Sequence, residues 1–74
     1  MKKIVSIIKN IRPDIQPDCK GFISEGVLDS IDVVFLVDNI SKSFGIQIPT
    51  KDINALNFDS ALNIYNYLKH RNVE

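Results

Sequence analysis

The chain has 74 residues, 45% of them hydrophobic, and its nine basic and nine acidic side chains cancel. That length gives one domain with one core and leaves little room for an enzyme pocket with a supporting shell, and the apolar share is too high for a disordered chain. Balanced charge offers no basic face for nucleic acid, and the one cysteine, Cys19, excludes an internal disulfide or a cysteine-based metal cluster.

The N-terminal run Met1-Lys2-Lys3-Ile4-Val5-Ser6-Ile7-Ile8-Lys9-Asn10 begins like a signal peptide. Its apolar part is short, however, interrupted by Ser6, Lys9 and Asn10, and no small-residue cleavage site follows. No segment reaches the roughly 18 apolar residues of a membrane span, so a soluble cytoplasmic protein is expected. Ile4, Ile7, Ile8 and Ile11 recur at the spacing of one helical face and predict a first helix over Lys2 to Ile11. Pro13 ends it, because the residue before a proline avoids the helical region, and Pro17 extends the break.

From Pro13 to Leu28 no period is sustained. The stretch holds Gly21 and Gly26, with Ile15, Phe22, Ile23, Val27 and Leu28 scattered through it. A connection of this length in so small a domain points to a functional loop whose apolar members fold back on the core.

A second helix is predicted from Ser30 to Phe44. Asp29 is its N-cap, Gly45 its terminating residue, and Val33, Leu36, Val37, Ile40 and Phe44 form its core stripe. Ile31, Val34, Phe35 and Asp38 fall on its other face, an apolar patch of the kind that marks a contact surface. Ser30 therefore sits at a loop-to-helix junction, where free backbone N–H groups and the helix dipole favour negative charge. The residues read it as the mount for a phosphate-linked group, not as a nucleophile. A nucleophilic serine needs a base and an oxyanion hole, and the only histidine, His70, stands near the far chain end.

Ile46 to Pro49 reads as an extended connection. Thr50 or Asp52 caps a short turn carrying Ile53 and Leu56. Asn57-Phe58-Asp59-Ser60 signals another start, with Asp59 as the expected cap, and the last helix runs to about Arg71 with Ala61, Ile64, Tyr65 and Leu68 on its core side. Lys69, His70 and Arg71 suit the negative end of that helix. The expected architecture is all-α: a small bundle of three longer helices and one short one in a single domain, residues 1–74.

Three landmarks then carry a resemblance. Leu28-Asp29-Ser30-Ile31 resembles the attachment signature of the acyl carrier protein family, with isoleucine where the family has leucine. Phe44-Gly45-Ile46-Gln47-Ile48-Pro49 resembles the family's exit from its second helix. Asn57-Phe58-Asp59-Ser60 is similar to the start of the last helix in stand-alone and D-alanyl or aminoacyl carriers. The likeness runs from the Ile4–Ile11 helix through Leu68.

The resemblance implies a non-enzymatic carrier of acyl-carrier fold, with 4′-phosphopantetheine from coenzyme A esterified to Ser30. Asp29 would stand beside that group, near the metal ion of the modifying enzyme. The terminal thiol of the arm would hold an acyl or aminoacyl cargo. Implied partners are a phosphopantetheinyl transferase, a loading ligase, and a downstream synthase or transferase of fatty-acid, polyketide or nonribosomal-peptide type. The implied contacts are Ile31, Asp32, Val34, Phe35 and Asp38. The carrier is expected to be a monomer, without nucleic acid, and no metal site is expected in it. An acyl cargo would slip between helices lined by Leu36, Ile40, Ile48, Ile53, Ala61 and Tyr65.

Beyond isoleucine at position 31, the chain departs from the family in the charge of its second helix. Carriers of bulk fatty-acid synthesis have an acidic second helix, whereas this one has Asp32 and Asp38 against Lys42 in a neutral chain. A specialised pathway and apolar docking around Val34 and Phe35 are expected instead. The alternative reading is an unmodified helical interaction module that uses the same apolar face.

Overall fold

The helix-period isoleucines near the N-terminus place Ile4, Ile7 and Ile8 on one buried face of a helix, α1 (Lys2–Ile11). The computed structural model describes residues 2–16 and 18–71. Pro17, expected to extend the break after α1, lies outside the described residues, as do Met1 and the last three residues. After α1 come α2 (Ser30–Phe44), a single 3-10 turn (Thr50–Asp52), the short α3 (Ala55–Phe58) and α4 (Ala61–His70). The all-α expectation holds at this level, since helices are the only extended elements among the described residues and the one β-type pairing is an isolated bridge between Lys20 and Ser60.

Both ends of α2 are set by single residues. Asp29 has extended backbone and its Oδ1 accepts from the Asp32 N–H at 2.8 Å, which satisfies one of the donors the first turn leaves free. Gly45 adopts φ 65°, and its N–H returns to the Ser41 carbonyl, closing the helix in the left-handed cap that glycine enters at least cost.

The start of α4 corrects the sequence expectation. Asp59 is not its cap. Asp59 is still helical in backbone (φ −79°, ψ −12°), where it finishes α3, and the extended residue that an N-cap requires is Ser60 (φ −162°, ψ 168°). Ser60 Oγ accepts from the Asn63 N–H at 3.1 Å. The short turn before it is likewise capped by neither Thr50 nor Asp52. Pro49 precedes the 3-10 turn without a side-chain cap bond, and Asn54 caps α3 by accepting from the Asn57 N–H. The last helix stops at His70, one residue short, with Arg71 as its C-cap.

α1 packs against both α2 and α4, and α3 packs against α4. The core combines Ile4, Ile7 and Ile8 with Leu36 and Ile40 of α2, Phe58 of α3, and Ala61, Ile64 and Leu68 of α4. The long loop contributes Ile15, Phe22 and Leu28, so its apolar members do fold back on the interior as expected. With α1 on its inner side, α2 fully buries only Leu36 and Ile40. Val33, Val37 and Phe44 of its expected stripe are half-buried. Tyr65 of α4 is half-buried too, with the Lys69 ammonium 5.7 Å above its ring.

Candidate functional site

Ser30 is the first residue of α2 and is exposed. Its hydroxyl makes no hydrogen bond to the described residues, and the Asp29 side chain takes the Asp32 N–H, not that of Ser30 or Ile31. The position thus offers a bare hydroxyl beside free backbone donors at the positive end of a helix. Asp29 is exposed, with one carboxylate oxygen engaged as the cap.

Two fasteners hold the chain that leads into Ser30. The first is Arg12, just past α1. Its Nη1 donates to the Val27 carbonyl at 3.3 Å and to Asp32 Oδ2 at 3.1 Å, while its Nε and Nη2 grip the Asp14 carboxylate at 3.2 and 3.1 Å. One planar fork therefore ties the end of α1 to the residues on both sides of Ser30, a task suited to arginine. The Asp14 carboxyl is held below its ordinary range chiefly by the Arg12 hydrogen bond.

The second fastener is Asp59. Its Oδ1 accepts from the Ser24 and Ile23 N–H groups at 2.8 and 2.9 Å, and its Oδ2 accepts from Ser24 Oγ at 2.8 Å. The adjoining Phe22 N–H donates to the Asp59 carbonyl at 2.9 Å, and the Leu28 N–H donates to the Phe22 carbonyl at 2.9 Å. These donors, the Ser24 N–H first, hold the Asp59 carboxyl below its ordinary range. Within this loop Gly21 has φ 79°, and a Cβ there would collide with the Glu25 side chain.

The residues expected at a contact face are mostly bare. Ile31, Val34 and Phe35 are 64%, 65% and 54% exposed. Asp38 is exposed and pairs with Lys42 Nζ at 3.0 Å. Asp32 differs from the others. Its side chain is only 17% exposed and lies in the ion pair with Arg12.

The residues expected to line a cargo space are less open. Leu36, Ile40 and Ala61 are packed in the core, and Ile48, Ile53 and Tyr65 are half-buried around it. A groove of about 270 Å3 lies instead along the outside of α2, lined by Val33, Val34, Val37, Asp38, Ser41 and Ile53, and of the expected set only Ile53 borders it. At about 1.5 Å per residue, it starts about 5 Å from Ser30 along the helix axis and extends to about 16 Å. The segment carrying Ile48 and Ile53 is fastened to α4. Tyr67 Oη donates to Asp52 Oδ2 at 2.7 Å, and Arg71 Nη1 donates to the Gln47 carbonyl at 2.8 Å and to Tyr67 Oη at 2.9 Å. Burial pushes the Tyr67 phenol up.

Cys19 is half-buried, with its Sγ 3.5 Å from the Lys20 carbonyl, and His70 is exposed with its Nδ1 2.7 Å from the Asn66 carbonyl. Among the described residues no three potential metal ligands cluster, and no helix is long and apolar enough to cross a membrane.

Sequence reasoning missed Arg12, the loop-holding role of Asp59, and the groove residues Val33, Val37 and Ser41 as a lining. The nearby Asp14 signalled a local pair for Arg12. Its partner Asp32, twenty positions along the chain, leaves no periodic or motif trace. Comparison with protein-family models, curated proteins and solved structures finds no match for this chain.

Proposed function

We propose that this chain is a carrier of acyl-carrier type, bearing 4′-phosphopantetheine on Ser30 and presenting a bound acyl or aminoacyl group to partner enzymes. The observation that carries the reading is the exposed Ser30 hydroxyl, bonded to none of the described residues, at the head of α2 and directly after the Asp29 cap within Leu28-Asp29-Ser30-Ile31. The residues around it fit such a group. The free first-turn N–H groups suit its phosphate, and Val33, Val37 and Ser41 line the groove along which an arm would be held. When bound, the group supplies a thiol that carries cargo as a thioester; the chain itself supplies the mount, the recognition surface and the packing.

His70, the one histidine, has its Nδ1 on the Asn66 carbonyl of its own helix, and Asp29 is engaged as the cap of α2, which supports a carrying role over a hydrolytic one. Partners on this reading are a phosphopantetheinyl transferase acting at Ser30 and Asp29, a loading ligase and a downstream synthase or transferase, in the cytoplasm. A cargo reaching Leu36, Ile40 or Ala61 must displace packed side chains, so this proposal places short or polar cargo outside the core and deeper entry only where Ile48, Ile53 and Tyr65 give way.

The test is the intact mass of the protein after incubation with a broad-specificity phosphopantetheinyl transferase and coenzyme A. The expected result is a gain of one phosphopantetheine in the native chain and none in Ser30→Ala. A native chain of unchanged mass overturns the reading and favours an interaction module that uses Ile31, Val34 and Phe35.

A further inference from the structure

The two acids on α2, Asp32 and Asp38, each have a cation of the same chain at hydrogen-bonding distance. The pairs differ in kind. Asp38 and Lys42 form an exposed helix-surface pair, with side chains 54% and 75% exposed, which contributes little and exchanges freely with solvent. Asp32 is 17% exposed and Arg12 35% exposed, and Arg12 is itself fixed by the Val27 carbonyl and the Asp14 carboxylate. Its Asp32 bond is one arm of a built fork, so releasing Asp32 means disturbing the approach to Ser30. The charge that stands closest to Ser30 inside the helix is therefore held within the molecule. Asp29 has no cation partner among the described residues, but its carboxylate is seated on the helix N-terminus, which takes up part of its charge. What remains exposed between them is apolar: Ile31, Val34 and Phe35.

We propose that Arg12 determines partner specificity: by holding Asp32 it withdraws the acid beside Ser30, and α2 offers an uncharged apolar face to a partner enzyme whose socket is apolar and weakly charged. This rests on the carrier reading, because it names what the enzymes acting at Ser30 must present. Charge complementarity selects that occupant. A basic socket would find Asp32 already held by Arg12 and would have to compete with Lys42 for Asp38, so it would strip water from its own cations for little in return. An apolar socket would cover side chains that folding leaves bare.

The test measures KM and kcat for loading of Ser30 by a broad-specificity phosphopantetheinyl transferase, from about 0.05 to about 0.5 M salt, a range over which exposed charges become screened. Such an enzyme holds the phosphates of coenzyme A with cations beside Ser30, outside the socket that covers Ile31, Val34 and Phe35, and a freed Asp32, two residues from Ser30, would reach them. In the native chain KM is expected to change less than about twofold with salt. Arg12→Gln should lower KM several-fold at low salt, and the gain should vanish at high salt. Arg12→Gln/Asp32→Asn, which loses the same fork but has no acid to free, should return to a flat salt profile. Phe35→Ser should raise KM about tenfold at every salt concentration with kcat unchanged, the loss of an apolar anchor. A steep salt dependence of the native chain, identical profiles for Arg12→Gln and the double variant, or a Phe35→Ser KM equal to the native value each overturns the proposal. Absence of any loading of the native chain is a separate outcome: it removes the carrier reading, and this inference with it.

Discussion

The two sides of α2 are built from the same kinds of residue and meet opposite fates. Leu36 and Ile40 are 1% and 0% exposed in the core they share with Ile4, Ile7 and Ile8 of α1, whereas Ile31, Val34 and Phe35 are more than half exposed on the same helix. Hydrophobicity alone does not assign a side. The position of α1 does, because it covers one flank of α2 and no other helix packs as closely on the opposite flank. The inner residues are explained by folding. The outer ones gain nothing from it, and their cost in exposed apolar surface is the physical ground for reading them as a contact face.

Truncations on the two sides should separate the roles, with the largest effect inside. Ile40→Ala removes a fully buried side chain and should cost about 2–5 kcal/mol in chemical denaturation. That is a large part of the roughly 5–15 kcal/mol that domains have in total. The comparison breaks if Val34→Ala costs as much; that substitution should stay within about 0.5 kcal/mol.

A smaller effect sharpens the comparison at the point where the outer side meets the loop. Asp59→Ala strips the acceptor from the Ile23 N–H, the Ser24 N–H and Ser24 Oγ, and should cost about 2 kcal/mol, with hydrogen exchange speeding up across residues 22–28. The sign with pH follows from the depressed carboxyl of Asp59. Its contribution is complete above the ordinary carboxylate value of about 3.9 and is lost as pH falls from there through the lower folded value. Asp14, also depressed, adds in the same direction. Asp59→Asn should therefore flatten, without abolishing, the acid limb of stability measured by thermal melts from neutral to low pH.

Smaller still, Asp29→Ala removes the α2 cap and should cost about 1 kcal/mol in the same melts. Smallest in stability is Phe35→Ser, within about 0.5 kcal/mol, although it is expected to be among the most damaging to partner engagement.

Most of this architecture is written locally. The isoleucine spacing of α1, the Asp29 and Gly45 bounds of α2, and the outward placement of Ile31, Val34 and Phe35 all depend on residues within a few turns of each other, where period and capping chemistry operate. The start of α4 differs from the expectation by one residue for a physical reason. Asp59 and Ser60 are both good caps, and the choice between them rests on which one is left with extended backbone once α3 forms. Arg12 and Asp59 act across long stretches of chain, the first on Asp32 and the second on the backbone of Ile23 and Ser24, and such pairings have no period to reveal them. For the same reason the groove beside Val33 and Val37 is not legible in the sequence. It exists because the flank of α2 away from α1 is left partly uncovered, which is a property of packing and not of the helix itself.

The most direct measurement is fragmentation mass spectrometry of the protein's peptides, above all the one spanning Gly26 to Asp32, after incubation with a phosphopantetheinyl transferase and coenzyme A. The prediction is a single phosphopantetheine on Ser30, with Ser24, Ser41 and Ser43 unmodified. An unmodified Ser30, or the group located on another serine, would contradict it.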